Sequence, residues 1–213
     1  LYSTPPITFT QVIHDIKKRN NAKTYLLLKD IFPQNAVDLG MFSQKGFIHY
    51  YFRRKEKKLY KVSDVIGCMS PANVKFVLAH NREIDPKCVE VCPNSVEVET
   101  KLPYVDKTKI RSKFGIPSES VAFIYGGNLG KPQGLDFLLQ VLQSNRSKKD
   151  RYFMVVGFGT EYGKISQWFE ENKPENAQLL QALPKQEYDE LVQSCDVGLI
   201  FLDPRFTIPN YPS

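Results

Sequence analysis

The chain has 213 residues, 42% of them hydrophobic, enough to bury a core as one large domain or two small ones. No apolar run reaches the roughly 18–20 residues of a membrane span, and no signal peptide is visible. A net charge of +6 and a pI near 9.0 favour contact with phosphates or an anionic membrane surface, whereas nucleic acid is excluded as the expected partner because the aromatic residues sit inside apolar runs rather than alternating with basic ones.

The pattern predicts a helix over Thr10 to Arg19, with Val12, Ile13 and Ile16 on one face, then a strand over Thr24 to Leu28. Lys29, Asp30 and Asn35 follow in a loop at the carboxyl end of that strand, where open α/β sheets place ligands; a simpler reading has Asp30 capping a helix around Ala36. Phe47 to Val62 is the most basic segment, with Ile48, Tyr51, Phe52, Leu59 and Val62 able to share one helical face and Arg53, Arg54, Lys55, Lys57, Lys58 and Lys61 beside them. Such a helix can lie on an acidic membrane, or its cationic side can be the solvated face of an ordinary packed helix. A strand over Val65 to Met69 leads to Ser70-Pro71 opening a helix, and a strand ending at Cys92 leads to the polar turn Pro93-Asn94-Ser95-Val96.

The cysteines are Cys68, Cys88, Cys92 and Cys195. On a strand, Cys88 and Cys92 would stand about 13 Å apart, too far for a disulfide, and His80 is the one further zinc ligand at hand; reduced thiols of a cytosolic protein and no metal are expected. A charged, proline-punctuated stretch divides the chain into a first domain over 1–98, a linker over 99–119 with a short helix at Lys107 to Phe114, and a second domain over 120–213.

The second domain opens on an apolar strand, Val121 to Tyr125, a glycine-rich loop over Gly126, Gly127, Asn128, Gly130, Lys131, Gln133 and Gly134, and a helix whose leucines recur at Leu135, Leu138, Leu139 and Leu142. Glycines let a phosphate approach the backbone, and the helix start adds free N–H groups and the positive dipole end; a strand-to-helix turn without ligand is the plainer account. The next strand, Tyr152 to Val156, ends in Gly157-Phe158-Gly159 with no acidic residue to hold a ribose, which suits a nucleotide diphosphate better than NAD. A strand over Ala177 to Leu180, a helix after Leu183-Pro184-Lys185 and a strand over Val197 to Leu202 complete an alternating α/β order, which implies parallel, doubly wound sheets.

Gly126-Gly127-Asn128-Leu129 to Gln133-Gly134, Val155-Val156-Gly157-Phe158-Gly159, Leu183-Pro184-Lys185 and Cys195-Asp196-Val197-Gly198-Leu199, with Lys29-Asp30-Ile31-Phe32-Pro33 and Pro93-Asn94-Ser95-Val96 upstream, resemble the bacterial glycosyltransferases of family four, and within it the capsule and O-antigen transferases. The resemblance implies a GT-B fold, two Rossmann-like domains facing a cleft, here both truncated. It implies a nucleotide-diphosphate sugar as substrate, uridine-linked on family grounds, with no cofactor, and a saccharide or lipid-linked saccharide as acceptor. Carried onto these residues, the two glycine segments, Pro184 and Lys185, and Thr207, Ile208, Pro209 and Ser213 face the donor; Asp30 is the catalytic candidate, with Lys29, Asn35 and Asn94 on the acceptor side. The reaction implied is a retaining transfer of a hexose or amino sugar; the basic helix over 47–62 is what points to peripheral contact at the inner face of the cell membrane. Asn128 and Gln133 stand where many members carry Arg and Lys, and the family's first sugar-holding glutamate falls at Pro212 and its second beyond Ser213. The chain is therefore read as an internal fragment not expected to turn over by itself. Two other readings are a non-catalytic nucleotide-binding or assembly module, and a sugar-nucleotide epimerase, for which only Asp30 and the scattered His14, His49 and His80 offer acid–base groups.

Overall fold

A computed structural model describes residues 1–97 and 104–208. They fall into two α/β units, the first comprising residues 1–97 and 205–208, the second residues 104–204.

In the first unit β1 (Tyr2–Ser3), β2 (Tyr25–Leu28), β3 (Val65–Cys68) and β4 (Val89–Val91) form one sheet in that order, every neighbour parallel. Parallel strands need crossovers, and α1 (Thr10–Asn20), α2 (Gln34–Asp38) with α3 (Phe47–Val62), and α4 (Pro71–His80) supply them. The core is made by Leu26, Leu28, Ile66 and Cys68 of the sheet against Leu59, Tyr60 and Val77 of the helices. At the start of α4, Ser70 Oγ accepts the Asn73 N–H at 3.2 Å, and Pro71 occupies a position whose N–H needs no partner. Asp64 joins α1 to the sheet: it accepts from Lys17 Nζ and from the Thr24 N–H and hydroxyl, all at 2.8 Å, and these bonds, the lysine's first, hold its pKa down at about 2.

Two expectations about helix faces change. No residue of α1 is buried, and Val12 and Ile16 are exposed, so its apolar stripe is only grazed by the unit. In α3 the C-terminal half is anchored, through Glu56, Leu59 and Tyr60, while Phe47, Ile48, Tyr50 and Tyr51 stand exposed. Buried Glu56 is held by Arg53 and by the Tyr60 hydroxyl at 2.7 Å, and Arg53 donates onward to the His80 carbonyl and Asn81 Oδ1, each at 2.7 Å. Cys88 closes a 3-10 turn over Pro86–Cys88 rather than opening a strand.

The second unit contains α5 (Lys107–Lys113), β5 (Val121–Asn128), α6 (Leu135–Asn145), β6 (Arg151–Phe158), α7 (Tyr162–Asn172), β7 (Ala177–Leu180), α8 (Lys185–Ser194) and β8 (Val197–Leu199). Its strands are parallel in the order β7-β6-β5-β8. One face packs Leu135, Leu138, Leu142 and Ile165 on Phe153 and Val155; the other packs Leu191 and Cys195 on Ile124 and Met154.

The expected linker is corrected here. Ile116 and Phe114 belong to the second core, and Arg111 donates to the Ser194 carbonyl at 2.9 Å and to Asp196 at 2.6 Å, so the residues described from 104 to 119 are part of the second unit. Asp196 also accepts the Ala122 N–H at 2.8 Å, and these bonds, that backbone N–H first, lower its pKa. The last strand stops at Leu199 instead of Leu202, and α7 had no counterpart in the sequence reading.

Candidate functional site

Gly126, Gly127 and Gly157, expected in loops, belong to the ends of strands, whereas Gly130, Gly134 and Gly159 lie beyond them. β5 runs through Gly126, Gly127 and Asn128, which pair with Val156, Gly157 and Phe158 of β6. Most of these glycines answer to packing. A Cβ on Gly157 would stand 1.9 Å from the Gly127 carbonyl oxygen, one on Gly159 2.3 Å from the Leu129 carbonyl oxygen, and one on Gly126 2.6 Å from the Tyr188 ring. Gly127 is different: its φ of +137° favours glycine, yet nothing lies within 4 Å of where its Cβ would be. It is the open point of the rim, flanked by exposed Asn128 and exposed Phe158.

The strand order places this rim at a topological switch point. From β5 the sheet grows outward through β6 to β7, and the chain then returns to β5's other side as β8. Ligands in open α/β sheets bind outside the carboxyl ends at such a reversal, here between the loops after Asn128 and after Leu199. The two loops are joined: the Asp203 N–H donates to the Pro132 carbonyl at 2.9 Å, and Phe201 stacks on Tyr125 with ring centroids 5.9 Å apart. Burial of Tyr125 raises its hydroxyl to about 12, and the hydroxyl donates to the Asn128 carbonyl at 3.0 Å.

Gly130 is buried and precedes a 3-10 turn over Lys131–Gln133. Lys131 is exposed, and it has no ion-pair partner among the described residues. Gln133 Oε1 is buried without a hydrogen-bond partner. The first turn of α6 already holds a carboxylate, Asp136, paired with Lys164, so Asp136 opposes the anion attraction of the helix start. Pro184 immediately precedes α8, and exposed Lys185 in its first turn donates to Asp189 at 2.6 Å.

In the first unit, Lys29 and Asp30 follow β2 and Asn94 follows β4, so all three lie at the carboxyl rim of that sheet and all are exposed. Asp30 does not cap α2, whose N-cap is Pro33 without a side-chain bond. Instead Asn35 Nδ2 donates to the Asp30 carboxylate at 3.4 Å, while the Asp30 N–H donates to Thr4 Oγ1 at 3.2 Å. Partial desolvation raises the Asp30 pKa, and the bond from Asn35 offsets part of the rise.

Thr207 and Ile208, expected at the donor, lie in the first unit. The Thr207 N–H and hydroxyl both donate to the Asp38 carboxylate, at 2.9 and 2.7 Å, and Ile208 is buried in the first core. Two polar donors satisfied by one carboxylate and one buried isoleucine explain the placement. Pro209 and Ser213 lie outside the described residues. Sequence reasoning missed Tyr188, which covers Gly126, and the exposed aromatic end of α3; only the unusual density of Phe and Tyr at 47–52 signalled the latter.

Comparison with known proteins bears on the fold. Residues 106–200 match the model of the family described as Glycosyl transferases group 1. The chain is 24% identical over 197 residues to the protein named Probable glycosyltransferase WbjE from Pseudomonas aeruginosa, covering 85% of this chain and 44% of that protein. Among solved structures it is similar to HepE of Anabaena in complex with UDP-glucose, with a TM-score of 0.66, 14% identity, and 92% of this chain and 51% of that one covered. It is also similar to WaaG, a glycosyltransferase involved in lipopolysaccharide biosynthesis, with a TM-score of 0.59, 15% identity, and coverage of 88% and 55%. At these identities the structures establish the fold, the GT-B type of two Rossmann-like units. The chain spans about half the length of these relatives. The family match covers residues 106–200, which lie within the second unit.

Proposed function

From that family match and the geometry of the rim we propose that the chain supplies donor-facing and acceptor-facing parts of a glycosyltransferase. It moves a hexose or amino sugar from a UDP-linked donor to a lipid-linked saccharide, with retention, in capsule, O-antigen or exopolysaccharide assembly, working at the inner face of the cell membrane. The observation that carries the reading is the open glycine rim at the switch point of the second sheet, inside the segment matched by the family model. The diphosphate approaches Gly127, Lys131 supplies the cation, and Gln133 Oε1 accepts from a donor hydroxyl. As charge develops on the leaving diphosphate, positioned N–H groups and Lys131 stabilise it without a metal. Asp30, its pKa raised by desolvation, takes up the acceptor hydroxyl, with Lys29, Asn35 and Asn94 along the same rim. Lys185 lies beside the nucleobase.

A second reading, a nucleotide-binding module without transfer, draws on the neutral Asn128 and Gln133 at the rim. The first test is thermal stability against UDP, GDP, ADP and NAD. A ligand at 100 times its Kd stabilises by about 2.7 kcal/mol, readily seen as a shift in Tm. A shift with UDP alone, abolished by Lys131→Ala, supports the donor site, and sugar transfer to a saccharide acceptor by the protein bearing this chain separates the two readings. No shift with any nucleotide refutes both.

A further inference from the structure

Phe158 is the last residue of β6, and its ring is 69% exposed, although water is a costly surrounding for so large an apolar group. The backbone beneath it is fixed. Phe158 pairs with Asn128 in the ladder, its carbonyl accepts the Leu129 N–H at 2.7 Å, and the glycines on either side of it have no room for a Cβ, which would meet the Gly127 and Leu129 carbonyl oxygens at 1.9 and 2.3 Å. Alternation along β6 puts Phe158 on the same face of the sheet as Met154 and Val156, the face packed by Tyr188 and Leu191 of α8. A rigid ring turned to solvent thus borders the rim that is open at Gly127. The charge of that rim is the second observation. The segments following its four strands, 129–134, 159–161, 181–184 and 200–204, contain one cation, Lys131, against Glu161 and Asp203, and the first turn of α6 adds Asp136, which Lys164 neutralises. Asn128 is a neutral amide folded over the loop, its Nδ2 standing 2.9 Å from where a Cβ on Gly130 would be and its Oδ1 2.7 Å from one on Gly159. A multiply charged diphosphate therefore meets a single positive side chain, and one exposed ion pair is a weak grip.

We infer that the Phe158 ring is the platform on which the donor's nucleobase stacks, a second anchor set beside Lys131 on a rim too poor in positive charge to hold the donor by its diphosphate alone. The inference rests on the donor-site reading proposed above and names how that site holds its ligand. Stacking needs a flat apolar face that is already held still, and the pinned end of β6 supplies one without further ordering on binding. Every base has such a face, so the ring contributes affinity rather than selection. Choice among bases falls to polar groups at the base's edge, and α8, which packs this same face of the sheet, opens with exposed Lys185. The ring's neighbours in the chain, Gly157, Gly159 and Thr160, do not extend it into an apolar patch of the kind that a protein partner covers.

The test is UDP binding by the chain and its variants, read as the shift in Tm over a concentration series. Phe158→Ala is expected to lower UDP affinity by about tenfold to a hundredfold, the usual loss when a stacking aromatic is truncated, while Phe158→Tyr keeps it within about twofold. Phe158→Trp in a Trp168→Phe background gives a signature that a merely structural role would not move. Its one indole is expected to be quenched by UDP and left unchanged by inorganic pyrophosphate at the same concentration. Circular dichroism melting without ligand establishes that each variant is folded. A wild-type Tm that no nucleotide shifts overturns the donor site and the platform together. UDP affinity that Phe158→Ala retains within about twofold overturns the platform alone and leaves the donor site standing. So does indole emission that bound UDP leaves unchanged, or that pyrophosphate quenches as well.

Discussion

Replacing Gly157 by alanine tests whether the rim glycines serve close packing of β5 on β6. The added methyl would lie 1.9 Å from the Gly127 carbonyl oxygen, a backbone atom fixed in the ladder, so the strands must separate by more than an ångström at their carboxyl ends. A φ of +157° adds strain of about 1–3 kcal/mol for a residue with a Cβ, and the overpacking adds about as much. The expected loss is about 3–5 kcal/mol, a large share of the roughly 5–15 kcal/mol that holds a typical domain together. Urea unfolding followed by fluorescence reads this directly, because Trp168 is the chain's one tryptophan and packs in the second unit. Gly127→Ala is the matched control: it has strain at φ +137° but open space, and is expected to lose about 1–2 kcal/mol. If Gly157→Ala unfolds within about 1 kcal/mol of wild type, or Gly127→Ala costs as much, the packing account is wrong.

Gly126→Ala is expected to destabilise by about 1–3 kcal/mol, and Tyr188→Ala in the same chain to recover part of that loss, since the ring is what the methyl meets; a double-mutant cycle in urea measures the coupling. Arg53→Met leaves buried Glu56 without its cation and is expected to cost about 3–5 kcal/mol at pH 7. Desolvation already raises the Glu56 pKa above 4.5, and losing Arg53 raises it further, so protonation relieves the fold and the deficit shrinks as pH falls towards 4.5; a deficit independent of pH contradicts this. Asp64 has the opposite sign. Its folded pKa of about 2 lies below the ordinary 3.8, so its contribution is present above pH 3.8 and disappears as pH falls through 2. Asp64→Asn should therefore lose about 1 kcal/mol at neutral pH, after allowance for its exposure to solvent, and match wild type near pH 2 in acid denaturation. Asp38→Ala is expected to speed amide exchange at Thr207 at least tenfold, read by hydrogen exchange, because the Thr207 N–H loses its acceptor; unchanged exchange argues against that bond.

Much of the architecture is legible in the amino-acid order. Apolar runs such as Phe153 to Val156 and helical stripes such as Leu135, Leu138 and Leu142 depend on residues close in the chain, and burial on both faces of a parallel sheet leaves them little alternative. The glycine rim was legible as a place but not as a geometry. Whether Gly126 and Gly157 serve a ligand or a neighbour depends on Tyr188 and on the Gly127 carbonyl, and register between strands decides which atoms meet. Residues 104–119 look like a linker because their charges are dense, yet Arg111 finds Ser194 and Asp196 more than eighty positions away, a partnership local composition does not contain. In α3 the sequence alone determined an amphipathic basic helix. Only the tertiary structure decided which cations are used up, Arg53 on Glu56 and Lys57 on Glu83, and which face outward, because a side chain's charge is set by its type but its freedom by what packs beside it.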